Sequence, residues 1–242
     1  MGNLRELGDV IASGRAMLFT GAGFSADARD VEGKPLPDSD DMRRELWPMI
    51  FNDSEPDTSS LQDLYDCGLM MCPERLHDYV HRRLRIGDTP LPPHFAAWFR
   101  APWRRIYTLN VDDLEVAVAR QFGLPPIEVV HLNGTAGDSA LEVTFSTLQY
   151  AARLCGKDQV YEQLVDDLHS APFVFAGTTL DEVILWQHLE LRRRRKGAPP
   201  PERPPSFLIS SSLTRARRIL LEGLGIRWVQ ATIKDVADEL LA

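Results

Sequence analysis

Five stretches of this chain end apolar runs with polar residues whose types and spacing suit sugar and phosphate chemistry. Thr108-Leu109-Asn110-Val111-Asp112 places three polar side chains on a period of two, so all three project to one side if extended geometry persists. Far upstream stands Gly21-Ala22-Gly23-Phe24-Ser25. A glycine-rich turn between a strand and a helix brings backbone N–H groups to a pyrophosphate, and an Asn and an Asp two apart at a strand end can face one ribose. Together they point to a dinucleotide whose sugar is attacked. Asp112 or Asp113 also reads as a plain N-cap for a helix from Leu114, and a lone Gly-x-Gly turn often serves only tight strand–helix packing. His131 and Asn133, again two apart, bring an imidazole and an amide to the end of another apolar run, although a single His is more often a satisfied structural group. Gly177-Thr178-Thr179 supplies backbone N–H groups and hydroxyls suited to a phosphate or ribose, with Thr179 or Asp181 as an ordinary helix cap in the alternative. Ser210, in Leu208-Ile209-Ser210-Ser211-Ser212, is a weaker example of the same kind.

The elements that must position these residues are legible as short apolar runs: Ala16 to Thr20, Arg105 to Leu109, Ile127 to Leu132, Pro172 to Ala176, Ser206 to Ser210 and Ile226 to Gln230. Continuous apolar runs of strand length, most followed by a polar turn and an amphipathic helix, are what a parallel sheet covered on both faces requires. The fold class is therefore α/β, a doubly wound, Rossmann-like parallel sheet of about six strands. Residues 38–101 carry no convincing strand but four helical periods, near Asp41 to Met49, Ser59 to Met71, Pro73 to Arg85 and Pro93 to Phe99. This predicts a helical module, inserted between the first and second strands of a single domain spanning 1–242, that sits over the strand ends as a lid or wall.

Composition narrows the function. The chain has 242 residues, 44% of them apolar, so it can bury a substantial core. Its 27 Lys and Arg against 35 Asp and Glu give a net charge of −8, which disfavours a general nucleic-acid or anionic-membrane binder. Cys67, Cys72 and Cys155 form neither a paired framework nor a four-cysteine zinc site, and no apolar run approaches the ~20 residues of a membrane span. A soluble protein of the reducing cytoplasm is expected, with no membrane contact. The run Arg192 to Lys196, followed by Pro199-Pro200-Pro201, reads as a solvated helix end and extended connection, or as a local patch for nucleic acid or an acidic partner.

The order of motifs resembles the sirtuin family. GAGFS is similar to the sirtuin GAGxS turn, TLNVD to its TxNxD segment, HLNG to its histidine–glycine segment and AGTTL to its GTS-type loop, and their order covers nearly the whole chain. The lead WRRIY into TLNVDD, and the helical insert after GAGFS, look closer to the sirtuin-like NAD-hydrolase effectors of bacterial antiphage defence than to protein deacetylases. The two CxxC pairs of the deacetylase zinc module are absent from the sequence. Where the family has its catalytic His, immediately before the Gly, this chain has Asn133, with His131 two residues earlier.

The resemblance implies NAD as substrate, with no metal required. Asn110 would hold the ribose and orient a water, and Asp112 would engage the nicotinamide amide or the developing positive charge. Either His131 takes over as general base, with Asn133 at the family's histidine position, or the base is absent and the domain binds NAD without rapid turnover. Gly21, Ala22, Gly23, Phe24, Ser25, Thr108, Gly177, Thr178, Thr179 and Ser210 would bind the dinucleotide. The same resemblance implies a toxic effector whose activity depends on assembly, as a homo-oligomer or with a sensor protein or fused sensor domain. The alternatives are a module that binds NAD or ADP-ribose and regulates attached machinery, a protein deacylase, and a nucleotide-binding enzyme of another class.

Overall fold

The computed structural model describes residues 2–52, 55–140, 142–155, 158–180, 186 and 204–241. Six apolar runs become strands: β1 (Met17–Thr20), β2 (Arg105–Thr108), β3 (Val129–His131), β4 (Phe173–Ala176), β5 (Ser206–Ser210) and β6 (Ile226–Gln230). All pair in parallel, in the order β3-β2-β1-β4-β5-β6. The fold is thus the doubly wound, Rossmann-like one. β3 is shorter than the run that predicts it, pairing with β2 over Val129 to His131 alone.

Alternate strand residues enter two cores, which is why the runs are apolar throughout. On one face Leu18, Ile106, Val174, Phe207 and Val229 pack with Leu7 and Ile11 of α1 (Gly2–Ala12), and with residues of three further helices described below. On the other, Met17, Phe19, Tyr107, Phe173, Phe175 and Leu208 meet Leu164, Val165 and Leu168 of a helix over Gln159–Ser170.

Between β1 and β2 lie α2 (Ser39–Phe51), α3 (Leu61–Met71), α4 (Pro73–Arg83) and α5 (Pro93–Arg100), close to the predicted bounds. Asp38 and Asp41 form a capping box at the start of α2, Ser60 caps α3, and Pro73 and Pro93 open α4 and α5. The module divides. Leu46, Trp47, Leu64, Tyr65, Leu76 and Val80 of α2 to α4 build a third core, whereas Phe95 and Trp98 of α5 join the sheet. A buried Arg83 locks α4 to α2 through Glu45 (2.8 and 2.9 Å), and to the loop before α2 through Asp30.

Past β2 come α6 (Leu114–Phe122), closed by Gly123 in the left-handed region, then α7 (Thr147–Cys155) and α8 (Gln159–Ser170) between β3 and β4. α9 (Arg215–Gly223) joins β5 to β6, and α10 (Ile233–Val236) follows β6 with a capping box at Thr232. The helix expected to end at Arg192 to Lys196, and Pro199 to Pro201, lie outside the described residues. No helix among the described residues is long and apolar enough to cross a membrane.

Candidate active site at the carboxyl edge of the sheet

The strand order reverses between β1 and β4, and in open α/β sheets the crevice at such a switch point is where ligands bind. Here the two strand exits touch backbone to backbone. Gly21 N–H donates to Ala176 O (3.1 Å) and Gly23 N–H to Gly177 O (2.9 Å). A Cβ on Gly21 would stand 2.8 Å from Thr178 Cβ, and one on Gly177, whose φ is +69°, only 2.0 Å from the Phe24 nitrogen. The glycines of both motifs are therefore required by close approach, before any ligand is considered. In place of a helix directly after β1 there is a three-residue 3₁₀ turn, Ala22–Phe24, because the N–H groups of Gly21, Gly23, Phe24 and Ser25 bond within the chain. Among the described residues, the Ala22 and Ala26 N–H groups have no such acceptor.

Across the sheet, Thr20 pairs in register with Thr108, and Thr108 with His131, so the exits of β1, β2 and β3 lie level. Thr20 Oγ1 donates to Thr108 Oγ1 (2.8 Å), which also accepts the Asn110 N–H (3.0 Å). Asn110 Nδ2 donates to Gly21 O (3.1 Å) and to Ser25 Oγ (2.9 Å), and the Ser25 hydroxyl in turn favours the ionised form of the Asp112 carboxyl. Asn110, Ser25 and Asp112 thus form one chain anchored on the glycine turn. With both amide protons engaged, Asn110 offers its Oδ1. Asp112 is buried and accepts the Leu114 N–H (3.2 Å), while Asp113 occupies the N-cap position of α6 without a side-chain capping bond. Asp113 instead accepts the Ile86 N–H (2.6 Å).

Burial pushes the Asp112 carboxyl up; the Ser25 hydroxyl opposes this, the Glu115 charge adds to it, and the Leu114 amide and His131 charge oppose it, leaving it at about 6.

His131 is placed behind this chain. Its Nδ1 lies 3.1 Å from the Asn110 carbonyl and its Nε2 3.1 Å from Glu115 Oε1, so both ring nitrogens face acceptors. Burial works against the imidazolium, but the hydrogen bond and charge of Glu115, the Asn110 carbonyl and the Asp112 charge outweigh it, and His131 is raised above the ordinary histidine value. Asn133 points the other way functionally: its Nδ2 donates to Leu109 O (3.0 Å), while its buried Oδ1 has no partner among the described residues. An acceptor left so costs about 1–3 kcal/mol unless something donates to it.

A cleft of about 670 Å³ opens over these groups, within the range of small-molecule sites. Its floor is Gly21, Ala22, Gly23, Ser25, Asn110, Asp112 and Asn133; Leu36, Pro37, Met42, Leu61, Gln62 and Leu84, with the capping pair Asp38 and Asp41, form the wall on the helical side, and Phe145, Tyr150 and Tyr161 close the rest. Asp38, Asp41 and Asp112 are carboxylates, and no cationic side chain is among the described lining residues. A larger hollow, about 910 Å³, is lined mainly by residues within 99–106 and 124–130 and touches none of the expected site residues.

Several expected ligand residues are not at the cleft. Phe24 is buried in an aromatic group with Phe95, Trp98 and Phe99. Thr108 lies beneath Asn110, Gly177 backs the glycine turn, the Thr178 hydroxyl accepts the Leu180 N–H (2.9 Å), and the Thr179 carbonyl accepts from Arg217 Nε (3.2 Å). Ser210, on β5, bonds Ser212 O and Trp228 Nε1. Sequence reasoning missed Glu115, although three carboxylates in four residues after β2 were a signal for a charged cluster. It also missed the aromatic wall, for which the local sequence carries none. No group of three or more His, Cys, Asp or Glu side chains among the described residues is placed to hold a metal ion. Compared with known proteins, the chain matches no family model, and no curated protein shows significant similarity to it. The function must be read from the cleft.

Proposed function

We propose that this chain hydrolyses NAD, cleaving nicotinamide from the ribose to give ADP-ribose. The observation that carries the reading is the Asn110–Ser25–Asp112 chain, fixed on the glycine turn at the switch point and facing an acidic cleft. Breaking an N-glycosidic bond passes through a sugar cation, so an enzyme gains by placing electron-rich atoms at the anomeric carbon. Asn110 Oδ1 is a neutral acceptor of that kind, and the Asp112 carboxylate suits both the cationic pyridinium of NAD and the charge that develops on the ribose as nicotinamide leaves. The lack of cationic side chains among the described lining residues fits the nicotinamide half in this cleft, with the pyrophosphate near the Ala22 and Ala26 N–H groups. The motif resemblance extends the proposal to a toxic effector of bacterial antiphage defence, acting in the cytoplasm as a homo-oligomer or with a sensor protein or domain.

The test is release of nicotinamide and ADP-ribose from NAD by the purified chain. Release that disappears in Asn110→Ala supports the reading. A second reading is favoured by His131, whose ring nitrogens both face acceptors: a module that binds NAD or ADP-ribose without turning it over. Binding of either nucleotide with no nicotinamide released at high protein concentration would favour it, or an effector that awaits its partner.

A further inference from the structure

We infer that Asp112, not His131, takes the proton of the attacking water. The inference rests on the hydrolase reading and adds to it the identity of the base. In the step proposed, the C1′–N bond breaks and its electron pair goes to the nicotinamide nitrogen, neutralising the pyridinium. A water oxygen bonds C1′, and its proton passes to an Asp112 carboxylate oxygen, from which it is later released to solvent. NAD⁺ and water become nicotinamide, ADP-ribose and a proton.

Geometry excludes the histidine. Both ring nitrogens are taken up, Nδ1 by the Asn110 carbonyl and Nε2 by the Glu115 carboxylate, so neither is turned to a water in the cleft. Nor does His131 line the cleft. Of the titratable groups that do, Asp38 and Asp41 cap the first turn of α2, Asp41 also pairing with Arg44, and the phenols of Tyr150 and Tyr161 are proton donors rather than bases. Asp112 remains, buried, lining the cleft and held by the Leu114 N–H.

The charged groups that face it are Glu115 from α6 and His131 from β3; its neighbour Asp113 is engaged with the Ile86 amide and Arg85. Their balance leaves Asp112 ionised near neutrality yet close enough to titrate, the condition for an efficient base. His131 becomes a positioning residue: its positive charge keeps Asp112 ionised, and its ring ties β3 to the Asn110 carbonyl.

The experiment is the pH dependence of nicotinamide release by the full chain, with ADP-ribose binding measured by calorimetry on the same preparations. The wild type is expected to lose kcat on an acid limb near pH 6. Asp112→Asn is expected to lower kcat by about 10²–10⁴ and to abolish the limb while still binding ADP-ribose. His131→Gln is expected to keep turnover within about tenfold of wild type but to move the limb to higher pH, because Asp112 loses a cation. If Asp112→Asn retains turnover and limb, or if His131→Gln abolishes turnover while ADP-ribose still binds, the assignment is overturned. A wild type that binds ADP-ribose but releases no nicotinamide at high protein concentration overturns the reading of this chain as a hydrolase by itself, and the assignment with it.

Discussion

Burying Asp112 should make this protein less stable than it need be, and the size of the cost follows from its surroundings. An ordinary aspartate here would titrate at 3.8, and Asp112 titrates at about 6. Each pH unit of that difference is worth 1.36 kcal/mol, so the folded state disfavours the charged carboxylate by about 3 kcal/mol. The sign is that of an acid whose folded pKa is raised. Below 3.8 both states hold the proton and nothing is lost; as pH climbs toward 6 the unfolded chain ionises first and stability falls; above 6 the loss is complete. Asp112→Asn keeps the size and the Ser25 partner but cannot ionise. The variant should therefore be more stable than wild type by about 3 kcal/mol at about pH 8, which for a chain of this length is about 6–12 °C in Tm. From about pH 4.5 to about pH 8 its advantage should grow by about 2 kcal/mol. Urea unfolding of both proteins across that range measures it. An advantage that does not change with pH, or a variant less stable than wild type at pH 8, would refute the claim that burial dominates the environment of Asp112.

Asn133→Leu removes an acceptor that has no donor, offsetting the lost bond to the Leu109 carbonyl, so its Tm should stay within about 4 °C of wild type while ADP-ribose affinity falls about tenfold or more. A large loss of stability with binding intact would show that Oδ1 has a structural partner. Gly177→Ala puts a methyl group against the Phe24 nitrogen in a left-handed backbone conformation and should cost more than about 2 kcal/mol, read as a lower urea midpoint. Glu115→Gln removes the partner that raises His131, so the His131 resonance followed by NMR should titrate at lower pH than in wild type. Because a raised histidine stabilises the fold below its ordinary value and loses that contribution as pH rises through the folded one, the wild-type advantage over Glu115→Gln should be greatest on the acid side of neutrality and fade above it.

The sheet was readable because its strands are buried on both faces: Leu18 and Phe19 point to opposite cores, so the run around them is apolar without alternation. The helical insert was readable from its caps and prolines at Asp38, Ser60, Pro73 and Pro93, which are local signals. Asn110, Asp112 and Asn133 were legible as polar residues at strand exits, and the cleft brings them together. What local pattern did not carry is which way each residue faces once the helices pack. Phe24 belongs to an aromatic core because α5 folds back over the glycine turn, and the company His131 keeps is decided by where the first turn of α6 places Glu115. Ser210 resembled the other strand exits in sequence, but a tryptophan on β6 holds its hydroxyl.

The third core does more than fill the insert. Val111, Ala136, Ala140 and Val143 are buried in it beside the side chains of α2 to α4, and Tyr65 of α3 donates to the Ala140 carbonyl at 2.9 Å. The helices and the segment carrying Asn133 therefore share one interior, although β2 and α6 separate them along the chain. Helices α2 to α4 grafted alone into a related sheet would leave Val111, Ala136 and Val143 facing the wrong side chains, and a sheet stripped of them would bare an apolar strip beside its own cleft. In a family built on such a scaffold, these two segments would be inherited, lost or exchanged as one piece, and the shape of the pocket would travel with the pair.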